Sequence, residues 1–292
     1  MRFDGVKKGL AEHAFLMYVV FFSLAIRLIL VLRGGQFFWS DEFRYFKARY
    51  LAVQMAQGHW GDILRFIAID VEHSFFTLVA SIPAFAQYLF NSTHGMDMEF
   101  DVFATAWLPA AIVSLASVLS ILLVYDICRR AGCDGLEASI AAFFMACSTT
   151  MLYNARHLLP YDCSLAIALL ALRHTLGREG RLGASIACGV LACLAYLTYN
   201  GHAALVAVIL ALHVLNRQGP WNRLAARAAG CAIGFALPIA GLELLGRAAA
   251  GKSYLATAVE FSKTAVQGDM TEGWSLPWEY LWSAESLWVL VW

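Results

Sequence analysis

Apolar residues fall along this chain in long blocks, approximately 14–33, 103–126, 136–153, 161–176, 183–199, 201–215 and 225–247, with polar residues gathered between them. Most blocks approach the roughly 20 residues an α-helix needs to cross a bilayer. A further block, 74–90, is shorter, is interrupted by Pro83 and is followed by the acidic stretch "NSTHGMDMEFD". Phe43, Phe46, Tyr50 and Val53 recur at helical spacing, with Arg44, Lys47 and Gln54 on other faces. This spacing predicts an amphipathic helix resting on the membrane surface. The pattern therefore predicts an all-α fold: a polytopic transmembrane helix bundle of about seven spans plus a partial one, with outer juxtamembrane helices.

Charge orients that bundle. Arginines concentrate in three short loops: Arg129 and Arg130, then Arg178 and Arg181, then Arg217, Arg223 and Arg227. The positive-inside rule puts these loops and the basic N-terminus in the cytoplasm. The parity works only if 74–90 does not cross, so it is expected to lie in or dip into the outer leaflet, and 34–102 becomes one large outer loop. Residues 1–247 then form the transmembrane module, 248–284 a second outer loop, and 285–292 the start of a further span in a truncated chain. No small-residue cleavage site follows the first block, so it reads as a retained helix in a multi-pass inner-membrane protein.

Composition agrees. The chain is 60% hydrophobic and 14% charged, with a mean hydropathy of +0.63, whereas a soluble domain carries about 25% charged residues. Net charge is zero, which gives no field for nucleic acid. The seven cysteines form no C-x-x-C pair and read as small apolar core residues.

Ionisable side chains at or just above membrane depth are the candidates for chemistry. On the outer side they gather in "FFWSDEFRYFKARY" (Asp41, Glu42, Arg44, Lys47), "DVEHSFF" (Asp70, Glu72, His73) and "YNARHLLPYDCS" (Arg156, His157, Asp162). Each has a structural alternative. Asp41 and Glu42 suit a helix N-terminus capped by Ser40, and Arg156 and Asp162 suit a pair across a turn bent by Pro160. Their joint appearance on one face suits a reaction between a polar acceptor and an anionic lipid-linked donor.

Taken in order, the aromatic-rich "W-x-D-E-x-x-Y" at Trp39 to Tyr45, the histidine-led helix from His73, Leu108 and Pro109 opening the next span, and the "AR…P-x-D" turn from Arg156 to Asp162 resemble a known family. It is the GT-C-fold glycosyltransferases: the dolichyl-phosphate-mannose protein mannosyltransferases and the lipid A aminoarabinose transferases. The resemblance covers the N-terminal half or so of a typical member. It implies transfer of a hexosyl or pentosyl group from a polyprenyl-phosphate donor to a lipid, glycan or protein acceptor, at a site facing the periplasm or exterior. It further implies Asp41 as general base beside Glu42, with Arg44, Lys47, His73, Arg156 and Asp162 around the donor phosphate. No cofactor is required; were a divalent metal to take part, Glu72, His73 and Asp162 would be its ligands. The chain departs from the family where Ser74 and Phe75 replace a Pro-Pro and where "TYNG" (198–201) replaces "T-K-G", with His202 as a substitute cation. Two alternatives belong to other classes: a lipid or solute transporter, which should show internal repeats, and a non-catalytic or degenerate membrane module.

Overall fold

The computed structural model describes residues 2–34, 42, 45–93, 107–177, 182–215, 220–266 and 282. It is all-helical, with no strand among the described residues. In chain order the helices are α1 (Arg2–Leu32), α2 (Tyr45–Gln57), α3 (Trp60–Ile69), α4 (Ser74–Thr93), α5 (Trp107–Ala131), α6 (Gly135–Cys147), α7 (Thr149–Asn154), α8 (Tyr161–Leu176), α9 (Leu182–Thr198), α10 (Ala203–Leu215), α11 (Trp221–Leu245) and α12 (Tyr254–Val266). Asp41, Arg44 and residues 285–292 lie outside the described residues.

Three stretches are long and apolar enough to cross a membrane: Ala14–Leu32, Trp107–Ala131 and Trp221–Ala250. The other four expected spans are shorter helices. α9, with 17 residues, reaches about 26 Å at 1.5 Å per residue, below a hydrocarbon core of roughly 30 Å. The block at 136–153 is not one helix. It breaks at Ser148, whose Oγ accepts from the Met151 N–H at 3.4 Å and starts α7, because hydroxyl side chains offer the backbone alternative partners.

Burial runs opposite to the order found in soluble proteins. On α1, Met17, Phe21, Phe22, Ile26 and Leu32 are exposed while Ser23 and Arg27 are buried. On α4 Ser74, Thr77, Ser81, Gln87 and Asn91 are buried beside Phe76, Ala80 and Ala84, and the exposed face carries Leu78, Ile82, Leu89 and Phe90. A helix facing lipid needs an apolar exterior and turns its polar groups onto its neighbours, where they find partners.

The bundle has two distinct ends. At one, Val31, Tyr45, Ala48, Phe76, Ala80, Ala110 and Leu158 form a single cluster that joins the end of α1, α2, α4, the start of α5 and the turn before α8. At the other, Asp126 meets Arg130 and Arg173, joining the last turns of α5 and α8. There His213, in the last turn of α10, meets Ser185 in the first turn of α9 at 3.0 Å. Both ends of α4 touch the first end: Ser74 Oγ meets the Tyr254 hydroxyl at 3.0 Å, and Gln87 Oε1 accepts from the Leu108 N–H at 3.2 Å.

The face of α2 that packs on the bundle includes small residues, and Tyr50 of the aromatic stripe stays exposed. Tyr45, Ala48, Leu51 and Ala52 are buried and Tyr50 is exposed. Ala48 and Ala52 lie against Ala80 and Ala84 of α4, and two alanine faces allow a closer approach than phenylalanine would. Tyr50 instead packs on Phe66 of α3, ring centroids 5.1 Å apart.

Small residues also set the closest helix pair. α9 and α11 run parallel, and a Cβ on Gly189 would strike the Cys231 carbonyl, one on Gly234 the Ile186 carbonyl. Gly230 and Gly234 form a G-x-x-x-G stretch, the spacing that lets backbones meet in membranes. Gly241, on the same helix, faces open space. Gly234→Ala is expected to destabilise the detergent-solubilised protein by about 1–3 kcal/mol. Gly241→Ala should leave it unchanged or slightly more stable. Thermal unfolding of the two variants checks this; equal midpoints would contradict the packing.

Candidate functional site

The polar residues of the first end form two groups. The first is built on Glu42, which is fully buried. Its Oε1 accepts the Leu158 N–H at 3.0 Å, and its Oε2 lies 3.1 Å from His157 Nδ1. His157, also fully buried, accepts from Arg156 Nε–H at its Nε2, 3.2 Å away. That pattern leaves the ring proton on Nδ1, so His157 donates to the carboxylate. The Arg156 guanidinium lies over the Tyr153 ring at 5.4 Å, a cation–π contact that holds its plane. The local sequence explains the geometry. α7 ends after one and a half turns, and Pro160 starts α8, so the 155–160 turn presents backbone N–H groups that no helix uses.

The second group is built on Lys47. Its Nζ is 2.8 Å from Asp70 Oδ1 and 3.1 Å from Glu72 Oε2, and Thr77 Oγ1 donates to Asp70 Oδ2 at 2.8 Å. Burial draws the Lys47 pKa down, but the charges and hydrogen bonds of Asp70 and Glu72 outweigh it and hold the ammonium above the ordinary lysine value. Lys47 was expected to meet a donor phosphate; here it meets two carboxylates. His73 follows at once, buried, with φ +58°. This left-handed conformation is uncommon outside glycine and costs roughly 1–3 kcal/mol. It turns the chain from Asp70 and Glu72 into α4 and sets the imidazole 5.5 Å from the Tyr199 ring.

Tyr199 links the groups around it. Its ring meets Tyr161 at 4.6 Å and His202 edge-on at 5.0 Å. His202 Nδ1 lies 2.8 Å from Ser164 Oγ, which also donates to the Ala195 carbonyl at 2.8 Å. Between α9, α11 and α12, a cavity of about 260 Å³ is lined by Val71, His73, Tyr196, Asn200, Tyr254 and Ser262 among others.

Asp162 stands apart from both groups. It is buried and faces Arg27 of α1, not Arg156. Arg27 donates from Nε to Ser117 Oγ at 2.9 Å and from Nη1 to Ser23. Asp162 lies in the first turn of α8 and faces inward, so its carboxyl group feels the Arg27 charge of α1 and is not joined to Arg156 across the 155–162 turn. Arg27 and Ser117 were missed from sequence. An arginine inside the first apolar block was the available signal, since such a charge needs a partner. Among the described residues no three His, Cys, Asp or Glu side chains converge as a metal would require, so Glu72, His73 and Asp162 are not gathered into one ligand set.

The arrangement fixes Glu42 as a brace against the turn that carries Arg156. A base and a cation for a leaving anion are what nucleophilic displacement at a phosphate-activated carbon needs. No family model matches the chain, and no curated protein or solved structure matches it significantly.

The brace is testable by a double-mutant cycle on Glu42→Ala and His157→Ala. A hydrogen bond to a charged group contributes about 1.5–3 kcal/mol, so a coupling of that order is expected in unfolding measurements. Strictly additive effects would contradict the contact.

Proposed function

We propose that this chain is an integral-membrane glycosyltransferase module. It moves a sugar from a polyprenyl phosphate to an acceptor hydroxyl at the acidic and aromatic end of the bundle. That end faces the periplasm or exterior of an inner-membrane protein, and the arginine-rich end faces the cytoplasm. The observation that carries the reading is the Glu42 brace. It joins the "W-S-D-E" stretch after the first helix to the "A-R-H-L-L-P-Y-D" turn, over a hundred residues away.

The chemistry is a single displacement. The acceptor oxygen attacks the anomeric carbon, the bond from that carbon to the phosphate oxygen breaks, and polyprenyl phosphate leaves with the electron pair. Asp41 takes the acceptor proton, and the anomeric configuration inverts. Arg156, with Arg44, meets the charge that develops on the phosphate. Lys47 has a different role: paired with Asp70 and Glu72, it fixes α2 against the loop before α4. His73, Tyr196 and Tyr254 wall the cavity beside α12, and aromatic faces of this kind suit the apolar face of a sugar ring. The lipid tail lies along the apolar outer face of α4, which stays in the outer leaflet.

The pairing of Lys47 with Asp70 and Glu72 favours a second reading, a non-catalytic module with the same architecture. One assay separates the two. Purified protein in liposomes is given a polyprenyl-phosphate sugar and an acceptor. Asp41→Asn keeps size and hydrogen-bonding capacity but removes the base, and turnover is expected to fall about 100-fold. Full turnover by a correctly inserted Asp41→Asn protein would end the assignment, and no transfer by the parent chain would favour the non-catalytic reading.

A further inference from the structure

The arginine-rich end holds a cleft of about 770 Å³ between the last turns of α5 and α8 and the first turn of α9. Its walls include Arg129, Arg130, Arg173 and His174, with Gly183 and Ala187 opposite. We propose that this cleft binds a phosphate-bearing anion. The inference is independent of the transfer chemistry at the other end.

Three observations carry it. The first is that the cations are organised. Arg130 and Arg173 both donate their Nε–H to one oxygen of Asp126, at 2.8 and 2.5 Å. The shared carboxylate orients both guanidinium planes and leaves their terminal NH₂ groups to meet another acceptor. Two planar forks side by side match phosphate geometry, which favours arginine over lysine.

The second is the charge balance. Among the described residues of the cleft, three arginines against Asp126 leave an excess of two positive charges in a concave site, where field lines concentrate. Arg129 is itself fixed by a bond from Nη1 to the Cys133 carbonyl at 3.2 Å. The positive-inside rule explains why arginines lie at this end. It does not require a carboxylate bridging two of them within a cleft.

The third is the opposite wall. α9 begins at Leu182, and the N–H groups of a first helical turn have no partner within the helix. Gly183 lies in that turn and faces the cleft, and nothing lies within 4 Å of where its Cβ would be. An oxygen atom can therefore approach the backbone there. Apolar residues further along α9, such as Ala187, give the cleft a mixed lining that suits a headgroup with its glycerol as well as a free anion.

The test uses the whole protein in neutral detergent, followed by thermal unfolding. The probes are phosphatidylglycerol, phosphatidylcholine as the zwitterionic control, and inorganic phosphate against chloride at equal ionic strength. Phosphatidylglycerol is expected to raise the midpoint by about 5 °C at a hundredfold excess over Kd, and phosphatidylcholine not at all. The shift should shrink in 0.5 M salt, since the cations are half-exposed. Arg129→Gln should lose at least half the shift. Gly183→Ala, which changes no charge, should lose part of it by filling the space at the α9 terminus, so the result does not depend on whether an arginine variant folds. A shift from inorganic phosphate with no gain from the lipid supports the site and assigns it to a free anion. No shift from either, or equal shifts in the parent, Arg129→Gln and Gly183→Ala, would overturn it.

Discussion

A buried carboxylate must find partners or lose its charge, and Glu42 finds both of its partners on one turn. Its two oxygens take the Leu158 N–H and the His157 Nδ1–H. Everything at that end of the bundle follows from this fixture. It draws the end of α1 and the start of α2 onto the turn before α8, and it closes the cluster formed by Val31, Tyr45, Phe76 and Leu158. It also sets the tautomer of His157, which then receives Arg156.

The second constraint is the solvent around the helices. Leucine and phenylalanine face outward on α1 and α4, and serine, threonine, glutamine and arginine face inward. In water such an arrangement would unfold or aggregate; in lipid it is the stable one, because polar groups buried against neighbours find partners that hydrocarbon lacks. Arg27 shows the rule: buried within α1, it donates to Ser117 Oγ of α5 and to Ser23 one turn back. The shorter helices fit the same rule. α9 gains contact with α11 through bare backbone at Gly189 and Gly234, where longer side chains would hold the helices apart.

How much of this the sequence carries differs by feature. The all-helical class follows from the length and purity of the apolar blocks, and Arg129 and Arg130 were legible as the end of one block. Span lengths did not follow, because hydropathy marks where apolar residues are and not where a hydroxyl residue such as Ser148 stops the helix. The stripe of Phe46 and Tyr50 marked α2 as a helix, but its spacing did not show the alanine face that packs against α4. Among site residues, Glu42, Asp70, Glu72, His73 and Arg156 do come to one end of the bundle. Their partners were less legible. Lys47 to Asp70 spans 23 residues and Asp162 to Arg27 spans 135, and local spacing says nothing about contacts at such separation. The Gly230 to Gly234 spacing was readable and marks the α9–α11 contact.

The proposed transfer requires the two ends of the bundle to lie on opposite sides of a membrane. Gln57 closes α2 at the acidic and aromatic end, and Asn222 opens α11 at the arginine-rich end; both are exposed. The direct measurement places single cysteines at these two positions, with the seven native cysteines replaced, and labels sealed membranes with an impermeant maleimide. Position 57 should react from outside, and position 222 only after the membrane is opened. Labelling of both from the same side would contradict the account.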